Sequence, residues 1–417
     1  MSRYIINGRK RLSGEVEVQG SKNSSLPILA ATMLTKGENV LFHCPVLSDV
    51  DAALRILRYL GCEASVQNGA VLVRTDSLSG CEIPDAFMRE MRGSIVFLGA
   101  LLSRQRRALI SHPGGCELGP RPIDLHLKAL RAMGAEISER YGVIECSAEN
   151  GLRGADVALS FPSVGATENI ILAAVLADGT TTITNAAREP EITDLCDYLT
   201  SCGAEIYGAG EGCVVINGVK SLSACSHTII SDRIVAATLM SAAAVTGSEI
   251  YLGGISSTHL ASIIPVFEEA GCEVFCRDGC IRFKAPERLR APSLIRTMPY
   301  PGFPTDAQAP VMAMSSVAGG STVFVENIFE NRFKHVSELC RLGADISVEG
   351  RVAVVKGVKG LYGAPIKAQE LRGAAGLLIA ALAAEGKSEL TGINYLERGY
   401  ESFEQTLCSL GADVVKI

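Results

Sequence analysis

One phrase governs the chain. A Leu or Phe, three residues, a Gly, then Ala or Cys, then an acid, recurs as LRYLGCEA, LRAMGAEI, LTSCGAEI, FEEAGCEV, LCRLGADI and LCSLGADV. Its glycines are Gly61, Gly134, Gly203, Gly271, Gly343 and Gly411, spaced 73, 69, 68, 72 and 68 residues apart. A unit of about 70 residues repeated six times fills the 417-residue chain, and any fold must place six equivalent pieces. No terminal unit reads as a polar cap, so two compact three-unit domains fit better than a solenoid.

The phrase has a local meaning. An amphipathic run such as DVDAALRILRYL has helical periodicity, and its glycine falls where a left-handed C-terminal cap belongs. Paired alternating runs follow, as in EISERYGVIECS and EVFCRDGCIRFK, and predict hairpins. An earlier turn in five units (KGENVLF, DGTTTIT, TGSEIYL, GGSTVFV, EGKSELT) predicts a buried helix passing into a strand. Each unit thus reads strand, helix, strand, helix, strand, strand. The last unit stops at GADVVKI, one hairpin strand short, and YIINGRKRLSGEVEV at the N-terminus has the pattern that should follow. Residues 1–21 are therefore expected to pair into the C-terminal half. The expected fold class is α/β, with three repeats in residues 22–229 and three in 230–417 together with 1–21.

Composition narrows the function. Charged residues make up 20% against 47% hydrophobic, and the net charge is −6 with no block of like charges. That argues against disorder and against a nucleic-acid partner. No apolar run approaches the ~20 residues that span a bilayer, and the N-terminus has no apolar signal core, so the expected location is the cytoplasm. The 14 cysteines are then expected to be free thiols. Cys272, Cys276 and Cys280 are evenly spaced but fall on a predicted hairpin and match no metal pattern. No Walker or GxGxxG motif is present, so nucleotide binding of those types is not indicated, and no paired carboxylates at helical spacing suggest a metal site.

Chemistry gathers where a strand runs into an apolar helix. Those points carry Lys22 and Asn23, Arg92, Ser163–Thr167, Arg233, Asp306 and Arg372. Helix starts present free N–H groups and a positive dipole end, which favour anions. A cation at a helix start can be only a solvated side chain. Four at six equivalent positions are harder to explain that way, because a solvated start favours acids. The loop PGGCELGPRPIDLH holds Cys116 behind two glycines and five residues before Arg121, where a thiol would be acidified and could act as acid or nucleophile. His126 follows and is expected to orient this loop. The residues alone thus predict a cytosolic enzyme for phosphorylated anions that uses a Cys loop and one Asp.

Taken together, GSKNSSLPIL, PGGCELGPRPIDLH, PSVGATENI, NAAREPEI, PGFPTDAQAP, FENRFKHV and ERGYE resemble the enolpyruvyl transferases, and within them the branch acting on UDP-N-acetylglucosamine. The motifs run from residue 20 to 401. The resemblance implies two inverse α/β barrels of three repeats each, the N-terminus joining the second. It implies transfer of the enolpyruvyl group of phosphoenolpyruvate to the 3′-hydroxyl of UDP-N-acetylglucosamine, releasing phosphate and needing no metal or cofactor, as the first committed step of peptidoglycan synthesis. Lys22, Asn23, Arg121 and Arg398 would hold phosphoenolpyruvate, with Arg332 and Arg372 adding positive field for the intermediate. Cys116 would protonate the methylene carbon and could carry a 2-(S-cysteinyl)pyruvic acid O-phosphothioketal. Asp306 would take the proton from the sugar hydroxyl, and the same cations would keep it ionised. Arg92, Arg121, Pro122, Ile123, Asp124, Leu125, Ser163, Val164, Gly165, Asp306 and Ile328 would line the UDP-sugar site. Phe161, Gly93 and Ala100 depart from the family's more usual residues.

Three other readings are open to test. The 3-phosphoshikimate 1-carboxyvinyltransferases share the fold but lack the PGGC loop. A non-catalytic or weakly active UDP-sugar-binding paralogue would need the cations but not Cys116 with Asp306. A repeat scaffold would show a docking face in place of ligand-type loops.

Overall fold

The six phrase glycines all take the left-handed backbone that ends a helix, with φ between 92° and 103°. The computed structural model describes residues 2–112 and 123–417. Each repeat contributes one four-stranded sheet built to one plan. A short edge strand lies parallel to the strand after the inner helix, which pairs antiparallel with the second arm of a hairpin. In the repeat from 156 to 217, Asp156–Ala158 is parallel to Thr180–Thr184. That strand is antiparallel to Cys213–Asn217, which closes on Glu205–Tyr207.

The N-terminus completes the last of these sheets. Arg3–Asn7 runs antiparallel to Lys387–Thr391 on one side and to Asp413–Lys416 on the other, the position of the missing hairpin arm. Ser13–Glu17 then supplies the parallel edge of another sheet, beside Glu249–Gly253.

The described residues fold into two units, residues 20–112 with 123–230, and residues 2–19 with 231–417. Each has its own apolar core. In the first, inner helices Lys22–Thr32, Phe97–Gln105 and Val164–Ala174 are buried around nearly their whole circumference. Phe97–Gln105 packs on both others, closely enough that a Cβ at Gly99 would stand 2.3 Å from Asn169 O. Amphipathic helices Ser48–Tyr59, Asp124–Ala132 and Pro190–Ser201 cover this core. In the second unit Arg233–Val245, Gln308–Ser315 and Leu371–Ala383 pack mutually as the inner set. Helices apolar all round belong inside, so a polar residue at such a helix's first turn is placed by the fold at the edge of a core. Among the described residues no helix is long and apolar enough to cross a membrane.

Candidate active site

In the second unit the fold draws Asp306, Arg332 and Arg372 into one cluster. Asp306 lies in the 3-10 turn Thr305–Ala307 that feeds the helix Gln308–Ser315, and Arg372 lies in the first turn of Leu371–Ala383. Those two helices pack together, so their starts adjoin. Asp306 Oδ2 accepts from both Nε and Nη2 of Arg372 at 3.1 and 2.9 Å, and Oδ1 accepts from Arg332 Nη2 at 3.1 Å. Arg332 also donates to Thr305 O at 2.9 Å. The arginine side chains are 1% and 2% exposed, while that of Asp306 is 28% exposed. Arg332 Nε and Arg372 Nη1 are buried without a hydrogen-bond partner among the described residues. The cluster therefore keeps N–H donors in hand beyond those that hold the carboxylate.

Glu370 supports these arginines, and His335 is buried beside them. Glu370 caps the helix by accepting from the backbone N–H of Arg372 at 2.8 Å and from that of Gly373, and its carboxylate lies 3.8 Å from Arg332 Nη1. His335 is fully enclosed beside Arg332 and Glu370. Burial, against the pull of Glu370, lowers its pKa to about 4, so the ring is neutral at pH 7. For Arg372, burial acts downward, but Asp306, Tyr400 and Asp232 together hold its pKa above the usual value. It remains a fixed cation.

Two more expected residues lie in this unit. Arg398 ends the 3-10 helix Ile393–Arg398 and is half-buried; two residues on, the Tyr400 ring lies 5.5 Å from the Arg372 guanidinium. Ile328 sits half-buried on a loop that Glu326 organises. That 1%-exposed carboxylate accepts from the backbone N–H groups of Ile328 and Phe329 at 2.8 and 3.0 Å and from Thr305 Oγ1 at 3.0 Å. Glu326 carries no sequence signal: it is an ordinary acid in a strand-end loop, and only the fold sets it beside Thr305.

In the first unit Lys22 and Asn23 occupy the first turn of Lys22–Thr32, capped by Ser21, whose hydroxyl accepts from Ser24 N at 3.3 Å. Lys22 Nζ stands 3.4 Å from Asp49, and the two side chains are 12% and 6% exposed. Ser163 caps Val164–Ala174 and accepts from Ala166 N at 3.4 Å; Val164 and Gly165 follow, half-buried. Gly165 packs against His126, whose Nδ1 lies 2.8 Å from Asn169 Nδ2. Asn169 also donates to Ile95 O and accepts from Gly99 N, so it fixes three segments at once. Ile123, Asp124 and Leu125 open the helix Asp124–Ala132. Arg92 opens the 3-10 turn Arg92–Val96, and its side chain is outside what is described. Cys116, Arg121 and Pro122 lie outside the described residues.

The solvated-cation explanation fails for three of the four helix-start cations. Lys22, Arg233 and Arg372 are buried or nearly so, and Arg233 lies over the Tyr300 ring at 5.6 Å. Cys276 and Cys280 pair with Ile281 and Arg277 respectively, which points them to opposite faces of their hairpin, and no metal-holding cluster occurs among the described residues.

A family model described as EPSP synthase (3-phosphoshikimate 1-carboxyvinyltransferase) matches residues 6–407. The chain belongs to that family of enolpyruvyl transferases. Over its full length it is 50% identical to UDP-N-acetylglucosamine 1-carboxyvinyltransferase 2 of Caldanaerobacter subterraneus subsp. tengcongensis, itself covered completely. It is 46% identical to UDP-N-acetylglucosamine 1-carboxyvinyltransferase 1 of Symbiobacterium thermophilum, with 95% of that protein covered. Among solved structures, the enolpyruvyl transferase NikO of Streptomyces tendae matches the whole chain and 98% of its own, with a TM-score of 0.91 at 26% identity. EPSP synthase of Acinetobacter baumannii matches with a TM-score of 0.80 at 20% identity, which speaks to fold alone. The α/β fold of six repeats is thus the family's fold.

Proposed function

We propose that this family member transfers the enolpyruvyl group of phosphoenolpyruvate to the 3′-hydroxyl of UDP-N-acetylglucosamine, with release of phosphate. Full-length relatives at 45–50% identity carry that activity in their names. The observation that carries the site is the buried Arg332–Asp306–Arg372 cluster, where one half-open carboxylate is held between two guanidiniums. Both substrates are multiply anionic, and cations must separate and orient them before they can react.

In this reading Lys22, Asn23, Arg121 and Arg398 bind phosphoenolpyruvate, and Cys116 delivers a proton to its methylene carbon. The carbon that bears the phosphate becomes electrophilic. The sugar hydroxyl attacks it while Asp306 accepts the hydroxyl proton. Arg332 and Arg372 stabilise charge on the tetrahedral intermediate. Loss of the proton from the methyl group and departure of phosphate then complete the transfer. Asp306 already accepts three hydrogen bonds from the arginines, and these hold its carboxylate in one orientation for the sugar hydroxyl. Arg92, Arg121, Pro122, Ile123, Asp124, Leu125, Ser163, Val164, Gly165, Asp306 and Ile328 contact the UDP-sugar. The chain works in the cytoplasm as two three-repeat domains, residues 22–229 and residues 1–21 with 230–417. Thirteen free thiols among the described residues suit a reducing compartment.

Product analysis tests the reading. Incubation with both substrates should convert the UDP-sugar into its enolpyruvyl ether, detected by mass spectrometry. An unchanged UDP-sugar beside modified shikimate 3-phosphate would move the chain to the other branch of its family.

A further inference from the structure

Gln19 lies between the strand Ser13–Glu17 and the helix Lys22–Thr32, and its side chain does something that nothing in the repeat pattern requires. Its Nε2 donates to Gly399 O at 3.3 Å, and its Oε1 accepts from Glu401 N at 2.7 Å. One carboxamide thus bridges both peptide groups flanking Tyr400, directly after Arg398. Gln19 is itself held by its backbone, because its carbonyl accepts from Asp232 N at 2.8 Å. Asp232 caps the buried helix Arg233–Val245 through bonds to Ile234 N and Val235 N. The clamp is therefore anchored to the core of its unit.

The clamped segment is packed with no slack. A Cβ at Gly399 would stand 2.9 Å from Leu371 Cδ2. Tyr400 is fully buried, bonds Thr238 Oγ1 at 3.0 Å and underlies Arg372. Arg398 is half-buried and directly precedes this packed stretch, so the backbone that Gln19 holds is continuous with the one that carries its side chain. Glutamine suits the task. A carboxamide offers a donor and an acceptor at one end, whereas Glu offers acceptors only and Lys donors only.

We propose that Gln19 is a positioning residue for Arg398, and through it for the carboxylate or phosphate of phosphoenolpyruvate. This rests on the assignment of Arg398 to that substrate. Gln19 would touch neither substrate. Its loss would release two backbone hydrogen bonds and let Arg398 sample wrong directions, lowering affinity for one substrate and not the other.

The experiment compares the wild type with Gln19→Ala and Gln19→Glu in the full chain, measuring kcat and both KM values by phosphate release, with thermal midpoints alongside. Gln19→Ala should raise the KM for phosphoenolpyruvate about tenfold, the scale of two modest hydrogen bonds, and leave the KM for UDP-N-acetylglucosamine within about twofold. Gln19→Glu keeps the acceptor for Glu401 N but loses the donor to Gly399 O, and should fall between them. Adding Gln19→Ala to Arg398→Ala should raise the KM no further. Equal rises in both KM values, a lowered midpoint with unchanged kinetics, or full additivity with Arg398→Ala would overturn the positioning role while leaving the reaction intact. A wild type with no acceptor-dependent phosphate release would instead remove the functional reading beneath it.

Discussion

Arg372 places both Nε and Nη2 on a single oxygen of Asp306, leaving the other oxygen to Arg332. The carboxylate is thereby turned by two buried cations while its own side chain stays partly open. Breaking a buried pair leaves an uncompensated charge, so each member of the cluster restricts what the others can tolerate.

Replacing Asp306 separates its two roles. Asp306→Asn keeps the shape but presents an NH2 group to one of the arginines and removes the proton acceptor. Turnover should fall by about 10²–10⁴, the range for loss of a positioned base, with the circular dichroism spectrum unchanged. Retention of more than a tenth of the rate would assign the base elsewhere.

His335 should make stability depend on mild acid. Its folded pKa is near 4 because burial opposes the charged ring, against an ordinary 6.5. Between those values the unfolded chain binds the extra proton, so stability should rise as pH rises from 4 to 6.5, by up to about 3 kcal/mol. His335→Gln should flatten that rise in urea unfolding curves. A parallel rise in both proteins would show that other groups cause it.

Glu168 should act in the opposite sense. Burial first, then Glu191 and Glu189, raises its carboxyl well above 4.5. The folded chain keeps a proton that the unfolded chain releases above that pH, so stability from this group is present in acid and declines as pH rises. Glu168→Gln removes the titration. Its thermal midpoint relative to wild type should improve from pH 4.5 to pH 8; an equal difference at both values would contradict the assignment.

The cysteines give a selective test. Burial pushes the thiols of Cys62, Cys146, Cys196 and Cys272 up to about 11 or 12, which silences them at neutral pH. Cys213, Cys276, Cys280, Cys340 and Cys408 are exposed and should react with any general thiol reagent. An epoxide phosphonate such as fosfomycin carries an anionic group that only a cation-lined thiol would recruit. Peptide mapping should find Cys116 alone alkylated, and Cys116→Ser should abolish both labelling and turnover. Comparable labelling of the exposed cysteines would argue against an activated Cys116.

The frame of the molecule is legible in the sequence because it depends on local chemistry repeated six times. The phrase glycines need φ > 0 whatever surrounds them, and the missing hairpin arm of the last repeat is supplied by Arg3–Asn7. The helix-start cations are legible for the same reason. Glu326, Glu370, His335 and Gln19 are not. Glu326, Glu370 and Gln19 act on backbone or guanidinium groups brought to them by tertiary packing, His335 is enclosed by the same packing, and at sequence level each is an ordinary polar residue in a loop or at a helix end. The arginines are legible as cations, but not as two side chains sharing one carboxylate.

Asp306 and its arginines are proposed to serve transfer to a UDP-sugar. The most direct measurement is phosphate release from phosphoenolpyruvate by wild type and Asp306→Asn, with UDP-N-acetylglucosamine present, absent or replaced by shikimate 3-phosphate. Wild type should release phosphate with the UDP-sugar only, and the variant should lose that release. Release with shikimate 3-phosphate, or none with either acceptor from protein that still binds the UDP-sugar, would contradict it.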